Sequence, residues 1–462
     1  MKILREDRAQ FDRHLIERYD VRAPRYTSFP TANHFAEGEF DIAYINALGH
    51  LQPNRRMSLY LHVPFCSTIC YYCACNKIVT ANHKHAETYL ARLIREIHHV
   101  AEKIPHRAKV DQIHFGGGTP TFLSHAQFED LFDALHACFE LSSGGSRDFS
   151  IEIDPRGVSS DRIEQLAALG FNRMSVGVQD FDVEVQKAVN RVQSVNETRV
   201  VVDAARVHGF ESINFDLIYG LPKQTLPGFY ATLDQVLRLD PDRLSIYSYA
   251  HLPQLFKTQK QIDVCDLLDP PGKLDLLEHV VNRLTGHGYE HVGMDHFAKP
   301  GDSLLRALAQ NTLQRSFQGY TTHRDCALLG FGASSISTID GLYTQNSKTL
   351  SDYIDGIDRS GLAVVKGYAS TDQDQMIYAL MQALMCRFEI DLQWFKQRYR
   401  ETFTDLIEQR VEALQSLEAD GLITFSRTKI RVTQKGRYLI RNICTVFDPY
   451  LHDEPTSFSK AI

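Results

Sequence analysis

The stretch His62–Lys77 reads HVPFCSTICYYCACNK and packs four cysteines, Cys66, Cys70, Cys73 and Cys75, into ten residues. The first three follow the spacing Cys-x3-Cys-x2-Cys, which can wrap one loop around an iron–sulfur cluster. Thiolates are the usual ligands of such clusters, and a fourth ligand need be neither adjacent nor protein. A loop that supplies only three leaves one iron open to a small molecule. Structural zinc competes for the same residues, but normally needs two Cys-x2-Cys knuckles, or one knuckle with a His pair. Only Cys70 and Cys73 make a knuckle, and His62 offers a Cys3His variant. Disulfides suit the stretch poorly, because nine cysteines are an odd count and these four lie too close together to staple a domain.

Outward from this loop the chain becomes repetitive. Short apolar runs alternate with amphipathic stretches of helical length, a pattern of β/α units around a parallel sheet. Strands are expected at Ser58–Val63, Gln112–Phe115, Phe149–Ile153, Arg173–Val178, Ser212–Ile218 and Arg243–Tyr249. Helices are expected near His85–Ile104, Ala126–Phe139, Ser160–Leu169, Asn196–His208 and Pro227–Leu239. Gly170 and Gly209 follow two of these as C-terminal glycines should. Six units fit either an open doubly wound sheet or a partial barrel, and periodicity does not choose between them. Residues 1–55 read as an amino-terminal arm, 56–364 as the catalytic domain and 365–462 as a mostly helical carboxyl-terminal domain. In the last, helical spacing covers Met376–Phe388, Asp391–Tyr399 and Asp405–Asp420. A hairpin pattern, LITFSRTKIRVT, follows. That order resembles a winged helix, and Arg427, Lys429, Arg431, Lys435 and Arg437 lend a DNA-binding reading some support. An acidic whole, with net charge −7, argues against nucleic acid. A docking or lid domain is the expectation.

The 462 residues are 43% hydrophobic and 23% charged, enough for a large core. No apolar run reaches the ~18 residues that span a membrane. The charged start MKILREDRAQFDRHL argues against export, so the expected location is the cytoplasm.

In a β/α fold, ligands bind at the carboxyl ends of the strands. The cysteine loop follows the first strand, and Gly116-Gly117-Gly118-Thr119-Pro120 follows the second. A glycine triplet lets backbone amides and carbonyls touch a ligand. Glu152 and Asp154 mark the third strand, Gln179 and Asp180 the fourth, and Asp216 the fifth. Tyr249, Ala250 and His251 end the sixth. Each alone is equally a cap or loop contact, but their recurrence at one end suits a polar cofactor bound across several strands.

Taken together, RYTSFPTA, the cysteine loop, GGGTPT, VGVQDF, DLIYGLPKQT, MDHFA, FQGYTT and the terminal RNIC run through almost the whole chain in order. This series closely resembles the oxygen-independent coproporphyrinogen III oxidases of the radical S-adenosylmethionine (SAM) superfamily. The resemblance implies an α/β fold, a partial (β/α)6 barrel with the arm and the helical domain already described. It implies a 4Fe–4S cluster on Cys66, Cys70 and Cys73, and one SAM chelated to its open iron. Reductive cleavage of that SAM would give a 5′-deoxyadenosyl radical, which takes hydrogen from a propionate β-carbon. Loss of carbon dioxide and one electron leaves a vinyl group. Two such events convert coproporphyrinogen III to protoporphyrinogen IX.

By the same resemblance, Tyr60, Gly117, Glu152 and Ile336 contact the cluster-bound SAM. A second SAM would use Tyr72, Gly118, Thr119, Gln179, Arg191, Asp216 and Ala250, with Tyr72 standing where the family usually has phenylalanine. Tyr60 and Cys75 are expected to be catalytic; Cys75, Gln318 and the YTSFPTA arm separate these oxidases from a related haem-binding chaperone, the alternative reading. The implied partners are the substrate and a small flavodoxin- or ferredoxin-like electron donor, with the chain a monomer.

Overall fold

The computed structural model describes residues 12–19, 21–451 and 458. The charged start, residues 1–11, lies outside them. Six parallel strands form the centre: β1 (Met57–Val63), β2 (Lys109–Gly117), β3 (Asp148–Ile153), β4 (Arg173–Gln179), β5 (Ser212–Tyr219) and β6 (Arg243–Ser248). One main helix runs in each gap between them: α1 (Lys84–Glu102), α2 (His125–Cys138), α3 (Ser160–Ala168), α4 (Val195–Val207) and α5 (Leu226–Leu239), with a short extra helix, Val183–Ala188, before α4. Local sequence explains where four of the helices start. Ser124, Ser159, Ser194 and Thr225 each accept a backbone N–H of the first turn, and Gln127 and Glu197 reach back to complete capping boxes.

Each strand pairs in parallel with the next in sequence, β1 to β2 and so on through β6. A doubly wound sheet reverses its order at a switch point. This one never does, and α1 packs on α2, α3 on α4 and α4 on α5. The architecture is therefore the partial barrel, not the open doubly wound alternative.

Tertiary pairing also adds strands that no sequence run announced. Beyond β6 lie His296–Ala298 and Glu290–Gly293, both antiparallel. Beyond β1 comes Ala327–Phe331, which is parallel to it. Antiparallel Ile336–Ile339, Leu342–Asn346, Val364–Ala369 and Ala36–Glu37 follow. These runs are short, two to six residues each, so their length does not mark them. Val364–Ala369 crosses the 364/365 junction drawn from sequence.

Side chains along β3, β4 and β5 alternate strictly. Phe149, Ile151, Met174, Val176, Phe215 and Leu217 are buried beneath the helices. Ser150, Glu152, Ser175, Asn214 and Asp216 point to a cavity of about 160 Å³ inside the barrel. Most β/α barrels fill that space with branched apolar residues; here it is small and polar.

A second core unites the carboxyl-terminal domain with the arm. Tyr26 and Phe29, each 1% exposed, pack among Met376, Leu380, Leu384 and Ile443. The helices expected at 391–399 and 405–420 form one span, Leu392–Ala419, broken by the non-helical Arg400 at φ 53°, ψ −127°. The expected hairpin, Ile423–Phe425 with Lys429–Val432, gains a third strand, Glu389–Asp391. Lys429 and Arg431 pair with Glu389, and Arg437 covers the Phe388 ring. Three of the five basic residues that suggested DNA binding are thus engaged within the domain. Among the described residues, no helix is long and apolar enough to cross a membrane.

Candidate active site

The cysteine loop sits at the carboxyl end of β1 and is tied down on every side. Phe65–Cys66 pairs with Ile78–Val79, closing the loop at its base. The amides of Gly118 and Thr119 donate to the carbonyls of Val63 and Phe65, both at 2.8 Å. A Cβ on Gly118 would lie 2.7 Å from the Phe65 carbonyl, so only glycine permits this stitching. Asn190 Nδ2 holds the Ile69 carbonyl at 2.8 Å. On the opposite side, Gln259 donates to the carbonyls of Tyr72 (3.1 Å) and Ala250 (3.2 Å), and Thr258 donates to that of Cys73 (3.3 Å).

The sulfurs are also solvated by protein. Thr119 Oγ1 donates to Cys66 Sγ at 3.5 Å, and Arg191 Nη1 lies 3.6 Å from Cys70 Sγ. Arg191 and Arg156 share Asp154, at 3.0 and 2.7 Å, which fixes both guanidinium groups beside the loop. Burial pushes the Cys66 thiol up to about 11, while hydrogen bonding from Cys75, with help from Lys77, brings Cys73 down to about 6.

A second group lies deeper. Tyr60 O–H donates to His62 Nδ1 at 3.0 Å, and His62 Nε2–H donates to the Asn76 carbonyl at 3.0 Å. Burial lowers the His62 pKa, which keeps the ring neutral in that tautomer. Both ring nitrogens are engaged, so the Cys3His zinc reading loses its fourth donor. Gly117 has φ +114°, and a Cβ there would come within 2.5 Å of the His62 ring. Its N–H donates to Glu152 Oε2 at 3.1 Å, and His114 Nε2 lies 3.4 Å from Oε1. Burial works against ionising Glu152. The His114 and Gly117 hydrogen bonds outweigh it and hold the carboxyl below its ordinary range. Ile336 enters from the strand beside Ala327–Phe331; its carbonyl abuts Gly330, which is opposite Tyr60 in the sheet.

Asp216 accepts from Ser175 Oγ (2.6 Å) and Asn214 Nδ2 (3.0 Å), and burial raises its pKa to about 6. Gln179 ends β4 at φ 63°, and Arg191 Nη2 donates to the nearby Gly177 carbonyl at 2.8 Å. Gln318, from the hairpin after the barrel, lines the same cavity. Of the expected residues, Glu152, Asp216 and Gln318 line the cavity, while Thr119 and Arg191 reach the sulfurs of the cysteine loop and Gln259 links Tyr72 to Ala250 beside it. The sequence reading missed His114, Ser150, Ser175, Asn214 and Gln259. The first four occupy alternate polar positions on strands it had found; Gln259 carries no local signal.

The radical SAM superfamily model matches residues 60–236, and a HemN C-terminal domain model matches residues 371–439. Barrel, cysteine loop and match together define a radical SAM protein. The oxygen-independent coproporphyrinogen III oxidase of Pseudomonas aeruginosa is 46% identical over 449 residues, covering 96% of this chain and 97% of that one. Its counterpart from Escherichia coli K12 is 44% identical over 454 residues, 98% of each chain. The solved coproporphyrinogen III oxidase (HemN) of Escherichia coli superposes with a TM-score of 0.90 at 44% identity, covering 96% of this chain and all of that one. The chain belongs to the oxygen-independent coproporphyrinogen III oxidase family. That membership implies a 4Fe–4S cluster and SAM as cofactors.

Proposed function

We propose that the cysteine loop and barrel cavity described above carry out the family's reaction, oxidative decarboxylation of two propionates of coproporphyrinogen III to the vinyl groups of protoporphyrinogen IX. The observation that carries this reading is a three-cysteine loop pinned over a small, polar barrel interior. The donor set fits the cofactors: three thiols from one loop for the cluster, with Gly117 and Gly118 letting the end of β2 close against His62 and the backbone at Phe65. Cys66, Cys70 and Cys73 would hold the cluster. Tyr60, Gly117, Glu152 and Ile336 would hold one SAM, and Tyr72, Gly118, Thr119, Gln179, Arg191, Asp216 and Ala250 a second. When bound, cluster and SAM supply a carbon-centred oxidant strong enough to take hydrogen from an unactivated carbon.

The chain's own residues orient, charge and shield. Ionised Glu152 offers its oxygens to a cationic amine. The Tyr60–His62–Asn76 chain fixes the tyrosine hydroxyl. Arg191, anchored by Asp154, presents fixed positive charge at Cys70. Asp216 can keep or release a proton at its carboxyl near pH 6. Cys75 sits beside Cys73 and within the field of Glu152, where its thiol can serve the reacting groups. A small flavodoxin- or ferredoxin-like donor, a monomeric chain and a cytoplasmic location complete the reading.

Anaerobically reconstituted chain, given coproporphyrinogen III, SAM and a reductant, is expected to yield protoporphyrinogen IX and two equivalents of carbon dioxide. Stable haem binding without turnover would replace this reading with a carrier.

A further inference from the structure

The turn after β3 brings a second arginine to the cysteine loop. Arg156 grips the Asp154 carboxylate as a fork, Nε to Oδ1 at 3.0 Å and Nη2 to Oδ2 at 2.7 Å. Its backbone N–H also donates to Oδ1, at 3.2 Å. The same Nη2 lies 3.9 Å from Cys70 Sγ. Arg191 reaches that sulfur at 3.6 Å and shares Asp154 Oδ2 at 3.0 Å. Its remaining nitrogens donate to the Gly177 carbonyl at 2.8 Å and to Gln193 Oε1 at 3.2 Å. Both guanidinium groups are thereby fixed relative to Cys70.

Among the described residues, neither arginine forms an ion pair with any carboxylate but that of Asp154. The Arg156 side chain is 21% exposed and that of Arg191 9%, so water screens them only in part. Charge withdrawn from water needs a partner of opposite sign. Asp154 balances one of the two guanidinium groups, and a thiolate at Cys70 balances the other. Reduction adds one negative charge to a thiolate-held cluster. Fixed positive charge and hydrogen bonds at its sulfurs therefore favour the reduced form.

We propose that Arg156 raises the reduction potential of the cluster through its charge at Cys70, so that a modest electron donor can reduce it; the inference rests on the cluster assignment above. Arg156 acts through the Cys70 sulfur and is a positioning residue. Asp154 sets its place, and the fork keeps the charge from swinging out into solvent.

The test is a reductive titration of anaerobically reconstituted full-length chain, followed by electron paramagnetic resonance, without SAM or substrate. Arg156→Gln is expected to lower the reduced-to-oxidised ratio at a given potential about tenfold, equivalent to about 59 mV for a one-electron couple. The shift is modest because Asp154 and solvent offset part of the charge. Iron content should not change. Arg156→Lys keeps the charge and should hold the ratio within about threefold of the unaltered chain. Substrate-free SAM cleavage by Arg156→Gln should slow with dithionite and recover with the stronger reductant titanium(III) citrate. An unchanged potential in Arg156→Gln overturns the proposal. So does an equal fall in Arg156→Lys, which would make geometry rather than charge the cause. Loss of iron in Arg156→Gln also overturns it, because the arginine would then be a brace for the loop. If Arg156→Gln fails to fold, Arg156→Met takes its place under the same criteria. Unaltered chain with no reducible 4Fe–4S signal defeats the cluster assignment and this proposal together. A reducible cluster whose potential ignores Arg156 defeats the proposal alone. The titration needs no turnover, so a failure to form protoporphyrinogen IX strikes the functional reading and leaves the role of Arg156 standing.

Discussion

Gly117 shows how one missing methyl shapes this site. Its φ of +114° and the 2.5 Å approach of a would-be Cβ to His62 leave no room for alanine. Gly117→Ala should displace the His62 ring and break the Tyr60–His62–Asn76 chain. The expected cost is about 1–3 kcal/mol in urea unfolding, from backbone strain and steric conflict. Iron should be retained and SAM cleavage impaired, because no thiol moves. Asp216 makes the pH prediction. Its folded pKa of about 6 stands above the unfolded value of 3.8, so between them the native state binds more protons. Stability from this group is greatest at low pH and falls as pH rises through that window, by at most about 3 kcal/mol and less where solvent reaches the lumen. Asp216→Asn keeps one acceptor oxygen for Asn214, turns an N–H toward the Ser175 hydroxyl, and, because it cannot ionise, should flatten this component. Unfolding midpoints at pH 5 and pH 7 would show it.

At the scale of elements, the cysteine loop is held less by its own sequence than by the short helix Lys257–Gln261 packed over it. Gln259, 1% exposed, makes three hydrogen bonds there, accepting from Leu252 N–H at 2.6 Å besides donating to Tyr72 and Ala250. Gln259→Leu should cost about 2–3 kcal/mol locally, roughly 1 kcal/mol per bond. Chelators should strip iron from the variant faster, and amide exchange should accelerate across residues 66–75. An unchanged iron-release rate would show that the loop stands without this clamp. The six central strands and the five main helices between residues 57 and 248 were legible because short apolar runs alternate with amphipathic stretches, four of the helices starting at a Ser or Thr cap. The flanking antiparallel strands were not, since most are four residues or fewer and draw their stability from partners distant in sequence.

Across the whole molecule, the arm is divided between two cores: Tyr26 and Phe29 pack with the carboxyl-terminal domain, whereas Tyr44, Leu48 and Leu51 belong to the core of the barrel. Phe29 is 1% exposed within the carboxyl-terminal core, and Arg441 holds the arm's backbone at Ala23 and Pro24. Phe29→Ala should cost about 3–5 kcal/mol. It should loosen Asp372–Arg387 before the barrel, a difference that site-resolved hydrogen exchange would detect. Equal loss of protection in both would mean the two cores unfold as one.

Sequence by itself determined the three-thiol loop, the glycine triplet, the β/α alternation and the acidic residues at the strand ends, because each is written in local spacing or local chemistry. Tertiary structure alone decided that the strands follow one another without reversal and that their polar faces turn inward around one lumen. It also decided that Gln259 and Tyr26 reach across the chain, the one to the cysteine loop and the other into the carboxyl-terminal core. Strand order and side-chain convergence depend on which distant surfaces bury each other, and no run of neighbouring residues encodes that choice.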